Sequence, residues 1–106
     1  MVRDIPRISE YITLMEDEIE RCKRYVDEYD SIMDNDPLEY RYCLNCIKMN
    51  EVILYSLEKW ERNLLLFDLY TDIKAVKDKC VFFSLSSRSY SVYVSNIKKK
   101  VKALCI

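Results

Sequence analysis

The stretch ISEYITLMEDEIERCKRYVDEYDSIM, residues 8–33, sets the fold class. Its apolar side chains fall at Ile8, Ile12, Met15, Ile19, Cys22, Val26, Tyr29 and Met33, in alternating steps of four and three. That spacing is the period of an amphipathic helix with one buried seam, and Glu, Asp, Lys and Arg fill the other faces. The seam predicts a helix running up to DNDP, residues 34–37. There Asn35 can stand in for a C-cap glycine, and Pro37 disfavours α geometry at Asp36.

A second helix is predicted to start at Pro37, with Asp36 as its N-cap. One apolar stripe runs through Cys43, Cys46, Asn50, Ile53, Leu57, Trp60, Leu64 and Phe67, and another runs beside it through Tyr40, Leu44, Ile47 and Leu54. The combined face is wider than that of the first helix, which suits a central helix with partners on more than one side. Some thirty residues at about 1.5 Å each would make it roughly 45 Å long. Residues 68–80 read either as a short helix or as an irregular connection. In residues 81–106, Tyr90, Val94, Ile97, Val101 and Leu104 keep the helical step, and Ser86 or Ser87 suits an N-cap. The rival is a hairpin of VFFSL and YSVYV around SSRS. The helix is preferred, because the step continues to the C-terminus and no glycine supports the turn.

Composition limits the chemistry. The 106 residues contain neither glycine nor histidine. An average chain of this length holds roughly seven glycines. Without them there is no P-loop or dinucleotide fingerprint, and an all-β fold is disfavoured. Without histidine, the commonest general base and neutral metal ligand are gone. No enzymatic activity and no cofactor are expected. The first residues lack the apolar run of a signal peptide, and no apolar stretch approaches a membrane span. Five cysteines then read as reduced thiols of an intracellular protein in a reducing compartment, with no membrane partner.

YCLNCIKMN, residues 42–50, contains the one pattern that resembles a chemical motif, Cys43-x-x-Cys46. A structural zinc site pairs two such couples, and here there is one couple and no histidine. A redox dithiol sits at a helix start after a strand. Both cysteines instead fall on an apolar stripe, where Cys behaves as a small hydrophobe. Core packing is therefore expected, with no metal site. Asn50 interrupts the stripe, and two readings stay open: a buried register-setting polar group, or an edge position in water. The acids Glu16, Asp17, Glu18 and Glu20 read as a solvated face.

Charge is unevenly spread. Residues 1–40 hold twelve acids and five bases, net −7, and residues 41–106 hold twelve bases and six acids, net +6. Lys98, Lys99, Lys100 and Lys102 cluster near the end. They are candidate nucleic-acid contacts, although lysines near a helix C-terminus also complement its dipole. Nine tyrosines suit interfaces, where they bury area and keep a polar tip. An AT-rich coding sequence would raise tyrosine equally.

Three stretches carry a family likeness: RISEYITLMEDEIERCKRYV (7–26), IKMNEVILYSLEKWERNLLLFDLY (47–70) and LSSRSYSVYVSNIKKKV (85–101). Their order and lengths resemble the helical domain of the GINS family, a four-subunit replication factor that joins the replicative helicase. The family's basic stretch in the central helix is only partly basic here, at Trp60-Glu61-Arg62, and its small β-rich domain has no counterpart. The resemblance implies a nuclear, non-catalytic subunit of a DNA replication complex, docking against sister subunits.

The sequence thus predicts an all-α fold over residues 1–106, a single helical domain. It would be an elongated antiparallel bundle of three to four helices with one long central helix. Its expected work is protein–protein interaction inside a hetero- or homo-oligomer, with Tyr29, Asn50, Trp60 and Phe67 as partner-binding residues. The alternative is a nucleic-acid or ribonucleoprotein-associated factor binding through Lys98, Lys99, Lys100 and Lys102.

Overall fold

A computed structural model of the chain describes residues 7–31 and 36–105. Within them α1 spans Ile8–Asp27, α2 Pro37–Tyr55, α3 Lys59–Tyr70, α4 Val76–Lys79 and α5 Ser87–Leu104. Short 3-10 turns follow α1 at Tyr29–Ser31 and α4 at Cys80–Phe83. No strand occurs among the described residues. The molecule is elongated, 50 × 26 × 23 Å.

Of the heptad seam of α1, Met15, Ile19 and Cys22 are buried and Ile8, Ile12 and Val26 pack half-buried at its margins, while Tyr11, beside the seam, is buried in place of Ile12. The helix stops at Asp27, six residues before the seam ends in sequence. Met33 and Asn35 lie outside the described residues. The early stop has a local cause in three aromatic rings. Tyr29 packs on Tyr40 with ring centroids 4.4 Å apart, and Tyr25 lies 6.1 Å from Tyr29. The Tyr25 hydroxyl also meets the Asp36 backbone, accepting from its N–H at 3.2 Å and donating to its carbonyl at 3.4 Å. These contacts draw the chain into a turn. The next helix opens as expected, with Pro37 in its first turn and Asp36 Oδ1 accepting from Leu38 N–H at 2.9 Å. Cys22 of α1 meets Cys43 and Cys46 of α2, so the two helices form an antiparallel hairpin.

The single helix expected across residues 37–67 is two helices. The stripe from Cys43 to Phe67 stays buried except at exposed Trp60, and of the second stripe Leu54 is buried while Leu44 is exposed. The backbone breaks at Ser56–Glu58, where Glu58 is extended. Glu61 causes the restart: its carboxylate accepts from the Glu58 N–H at 3.0 Å, satisfying one of the free donors at the start of α3. The same Oε1 accepts from Lys100 Nζ of α5 at 2.8 Å, although Glu61 is only 7% exposed. Trp60 adds a link at the same end, T-shaped against Tyr93 of α5 with ring centroids 6.1 Å apart.

The break lets α3 and α5 close over the core. Leu64, Leu65, Leu66 and Phe67 are buried there with Ile53, Tyr90, Val94, Ile97 and Val101. Tyr11 stacks on Tyr70 at 5.5 Å and fastens the start of α1 to the end of α3. Residues 81–95 are helical from Ser87 onward, with Ser86 as N-cap accepting from Ser89 N–H at 3.1 Å. The ambiguous segment 68–80 contains the end of α3, a loop and the four residues of α4.

A chain without glycine must place other residues where the backbone turns left-handed. Ser84, after the second 3-10 turn, has φ 55° and ψ 40°. An L-residue there is strained by roughly 1–2 kcal/mol, part of which a glycine regains as unfolded-chain entropy. Ser84→Gly is expected to raise stability by about 0.5–1 kcal/mol in urea denaturation, and a loss would contradict this account of the turn.

Burial pushes the Glu61 carboxyl up, but the Lys100 ammonium and the Glu58 N–H outweigh it and hold it below its usual range. A carboxyl that titrates below its unfolded value of about 4.3 stabilises fully at neutral pH and loses that contribution as pH falls through the folded value. Glu61→Gln keeps an acceptor for the cap and removes the charge. It is expected to cost about 1 kcal/mol at pH 7 and to flatten the acid limb of the stability–pH curve. An unchanged acid limb would contradict the ion pair's role.

Candidate functional site

The break at Ser56–Glu58 leaves a groove of about 690 Å³ between α2, α3 and α5. Its floor is Ile53, Leu65 and Val101, all buried core residues. Met49 and Leu69, 46% and 50% exposed, form its walls. Lys48, Lys98 and Lys102 stand around it, and no carboxylate lines it among the described residues. Each element supplies this surface by helical register. Met49 and Ile53 are one turn apart on α2, as are Leu65 and Leu69 on α3, and Lys98, Val101 and Lys102 share a face of α5.

The terminal lysines are divided between the fold and the surface. Asp68, with its side chain 15% exposed, gathers three donors: the Tyr90 hydroxyl at 2.9 Å, Lys79 Nζ at 3.3 Å and Lys98 Nζ at 3.8 Å. Lys100 is held by Glu61. Lys99 and Lys102 pair with no carboxylate among the described residues. Burial, and then the hydrogen bond to Asp68, pushes the Tyr90 phenol well above the usual tyrosine range, so that hydroxyl is a permanent donor. Two of the four lysines thus join α5 to α3, which reduces the positive surface available to a polyanion.

The four residues expected to bind partners have different placements. Phe67 is 2% exposed and belongs to the core, against Phe82 and Phe83. Asn50 is buried at 8% exposure, and its Nδ2 donates to Cys46 Sγ at 3.4 Å, one turn back. Tyr29 is half-buried in the tyrosine cluster at the hairpin turn. Trp60 is 44% exposed, with its indole N–H donating to Glu58 at 2.7 Å. These four do not converge on one patch of the kind the groove provides.

Cys43 and Cys46 are buried on α2, and Cys22 of α1 joins them. Burial pushes the Cys22 thiol up to about 11 and the Cys43 thiol up to about 12, and Cys46 also moves upward. Each thiol faces a carboxylate oxygen: Cys22 Sγ donates to Glu18 Oε1 at 3.7 Å, Cys46 Sγ to the same oxygen at 4.0 Å, and Cys43 Sγ to Glu39 Oε1 at 3.7 Å. A catalytic thiol needs its pKa lowered, so this environment opposes nucleophilic or redox catalysis. The groove walls and the third thiol escape a reading of one stripe at a time. The signal for the thiol is the hairpin itself, since packing α2 antiparallel to α1 sets Cys22 opposite Cys43 and Cys46.

The chain matches no family model, no curated protein and no solved structure in comparison with known proteins. No helix among the described residues is long and apolar enough to cross a membrane.

Proposed function

We propose that this chain is a non-catalytic helical subunit that works by protein–protein contact, and that its docking face is the groove between α2, α3 and α5. The observation that carries the reading is an apolar floor enclosed by Lys48, Lys98 and Lys102 with no carboxylate among its described lining residues. Apolar side chains of an amphipathic helix dock into such grooves at one-turn spacing. The lysines favour a helix whose flanks carry Glu or Asp, through steering and rejection of basic competitors. The partner is therefore an acidic amphipathic helix of another subunit. Two of the GINS-like stretches, residues 47–70 and 85–101, carry helices that build this groove, so a GINS-like replication subunit is the specific form of the proposal.

The nucleic-acid reading draws on Lys98, Lys99, Lys100 and Lys102, two of which also border the groove, and is weakened by the ion pairs of Lys98 and Lys100. A direct comparison separates the two. A fluorescein-labelled amphipathic peptide with leucines on one face and glutamates on its flanks is expected to bind the chain. The same peptide with lysine flanks, and a single-stranded oligonucleotide, should bind more weakly. Leu69→Glu alters a half-exposed wall, so folding should change by no more than about 0.5 kcal/mol. It should weaken the acidic peptide by at least about tenfold, as expected for losing one apolar anchor and gaining a like charge. Oligonucleotide binding that exceeds peptide binding and falls steeply with salt would replace this reading with the nucleic-acid one.

A further inference from the structure

Glu18, Cys22 and Cys46 present three ligand atoms that all lie within 4.8 Å of one another. Glu18 Oε1 stands 3.7 Å from Cys22 Sγ and 4.0 Å from Cys46 Sγ. A tetrahedral zinc ion, with bonds of about 2.3 Å to sulfur and about 2.1 Å to oxygen, needs neighbouring ligands about 3.5–3.8 Å apart. The two oxygen–sulfur separations need to contract only slightly, and the two sulfurs lie no more than 4.8 Å apart. Cys43 belongs to the same buried cluster, one helical turn before Cys46, with its Sγ now 3.7 Å from Glu39 Oε1, so its side chain has to turn to complete the set. The set draws on two helices of one hairpin, so no long segment has to be reorganised to assemble it.

We propose that Cys22, Cys43, Cys46 and Glu18 form a closed four-coordinate site for a zinc-class divalent cation. The donor set selects that class. Three sulfurs favour zinc over calcium or magnesium, which take oxygen ligands, and four protein ligands leave no open position for catalysis. In binding, three S–H bonds break, three metal–sulfur bonds and one metal–oxygen bond form, and three protons pass to solvent. Three thiolates and one carboxylate around a divalent ion carry a net charge of −2. Arg21 offsets part of it: its Nη2 lies 2.7 Å from Glu18 Oε1 and 3.6 Å from Cys22 Sγ. The Glu18 side chain, 33% exposed, places the carboxylate ligand at the solvent edge of an otherwise buried cluster. The site would staple α1 to α2 beyond the main core, where Tyr25, Val26 and Ile47 are the partly buried hydrophobics packed against the thiols among the described residues.

The test is titration of the reduced full-length chain with cobalt(II) chloride under anaerobic conditions. The expected result is saturation at one equivalent, with tetrahedral d–d bands and a thiolate-to-cobalt charge-transfer band that zinc chloride abolishes. Cys22→Ser and Cys46→Ser should each weaken cobalt binding beyond the roughly 10–100-fold that loss of a supporting residue costs. Cys80→Ser and Cys105→Ser should leave the spectrum unchanged. Should Cys22→Ser fail to fold, Glu18→Gln decides: at this half-buried position it should keep the helical circular dichroism and still weaken cobalt binding. A folded, reduced wild-type chain without the charge-transfer band would overturn the proposal. So would a band that survives Cys22→Ser and Cys46→Ser, or full-strength binding by a folded Glu18→Gln variant.

Discussion

One carboxylate sets the arrangement of the last three helices. Glu61 accepts from the Glu58 backbone and from the Lys100 ammonium through the same oxygen. The first contact starts α3, and the second joins it to α5. Burying a charge is costly unless hydrogen bonds and an opposite charge compensate it, and here both are present. Had the chain continued straight from α2 into α3, the apolar residues 64–67 would have extended past the hairpin. The break allows them to form the core and leaves a groove where α2, α3 and α5 do not fully meet.

The division of labour among the polar residues follows from that geometry. Asp68 and Glu61 each draw a terminal lysine onto α3, so the basic end of the chain contributes to internal cohesion. Of the two terminal lysines left unpaired among the described residues, Lys102 borders the apolar groove together with Lys48 of α2. That combination favours the proposed docking of an acidic helix over a general polyanion surface, which would need its lysines unpaired and spread along a backbone track. The cysteine cluster lies in a small core of its own on the hairpin, with thiols that burial holds protonated.

Much of the fold was legible in the sequence, for physical reasons that differ by element. The seam from Ile8 to Val26 specified α1, because its period matches a helix with one buried face. Asp36-Pro37 and Ser86 marked helix starts through cap chemistry that depends only on neighbouring residues. The break at Ser56–Glu58 was hidden because the stripe from Cys43 to Phe67 continues across it in register. Glutamate is also an uncommon N-cap, so Glu58-x-x-Glu61 does not stand out as Ser-x-x-Glu would. The site was less legible. Phe67 lies on the stripe that predicted it but faces the core, and a groove between three helices cannot be read from single helices. Cys22 is distant from Cys43 and Cys46 in sequence and becomes their neighbour only through the turn.

The central claim is that the groove between α2, α3 and α5 receives an acidic helix. The most direct measurement is site-specific photo-crosslinking in the source cells, with a diazirine side chain at Met49 or Leu69 and a control at exposed Tyr55 on α2. The account predicts that both groove positions capture the same protein, through one Glu- or Asp-flanked amphipathic segment, and that Tyr55 does not. Adducts to nucleic acid, or equal capture from Tyr55, would contradict it.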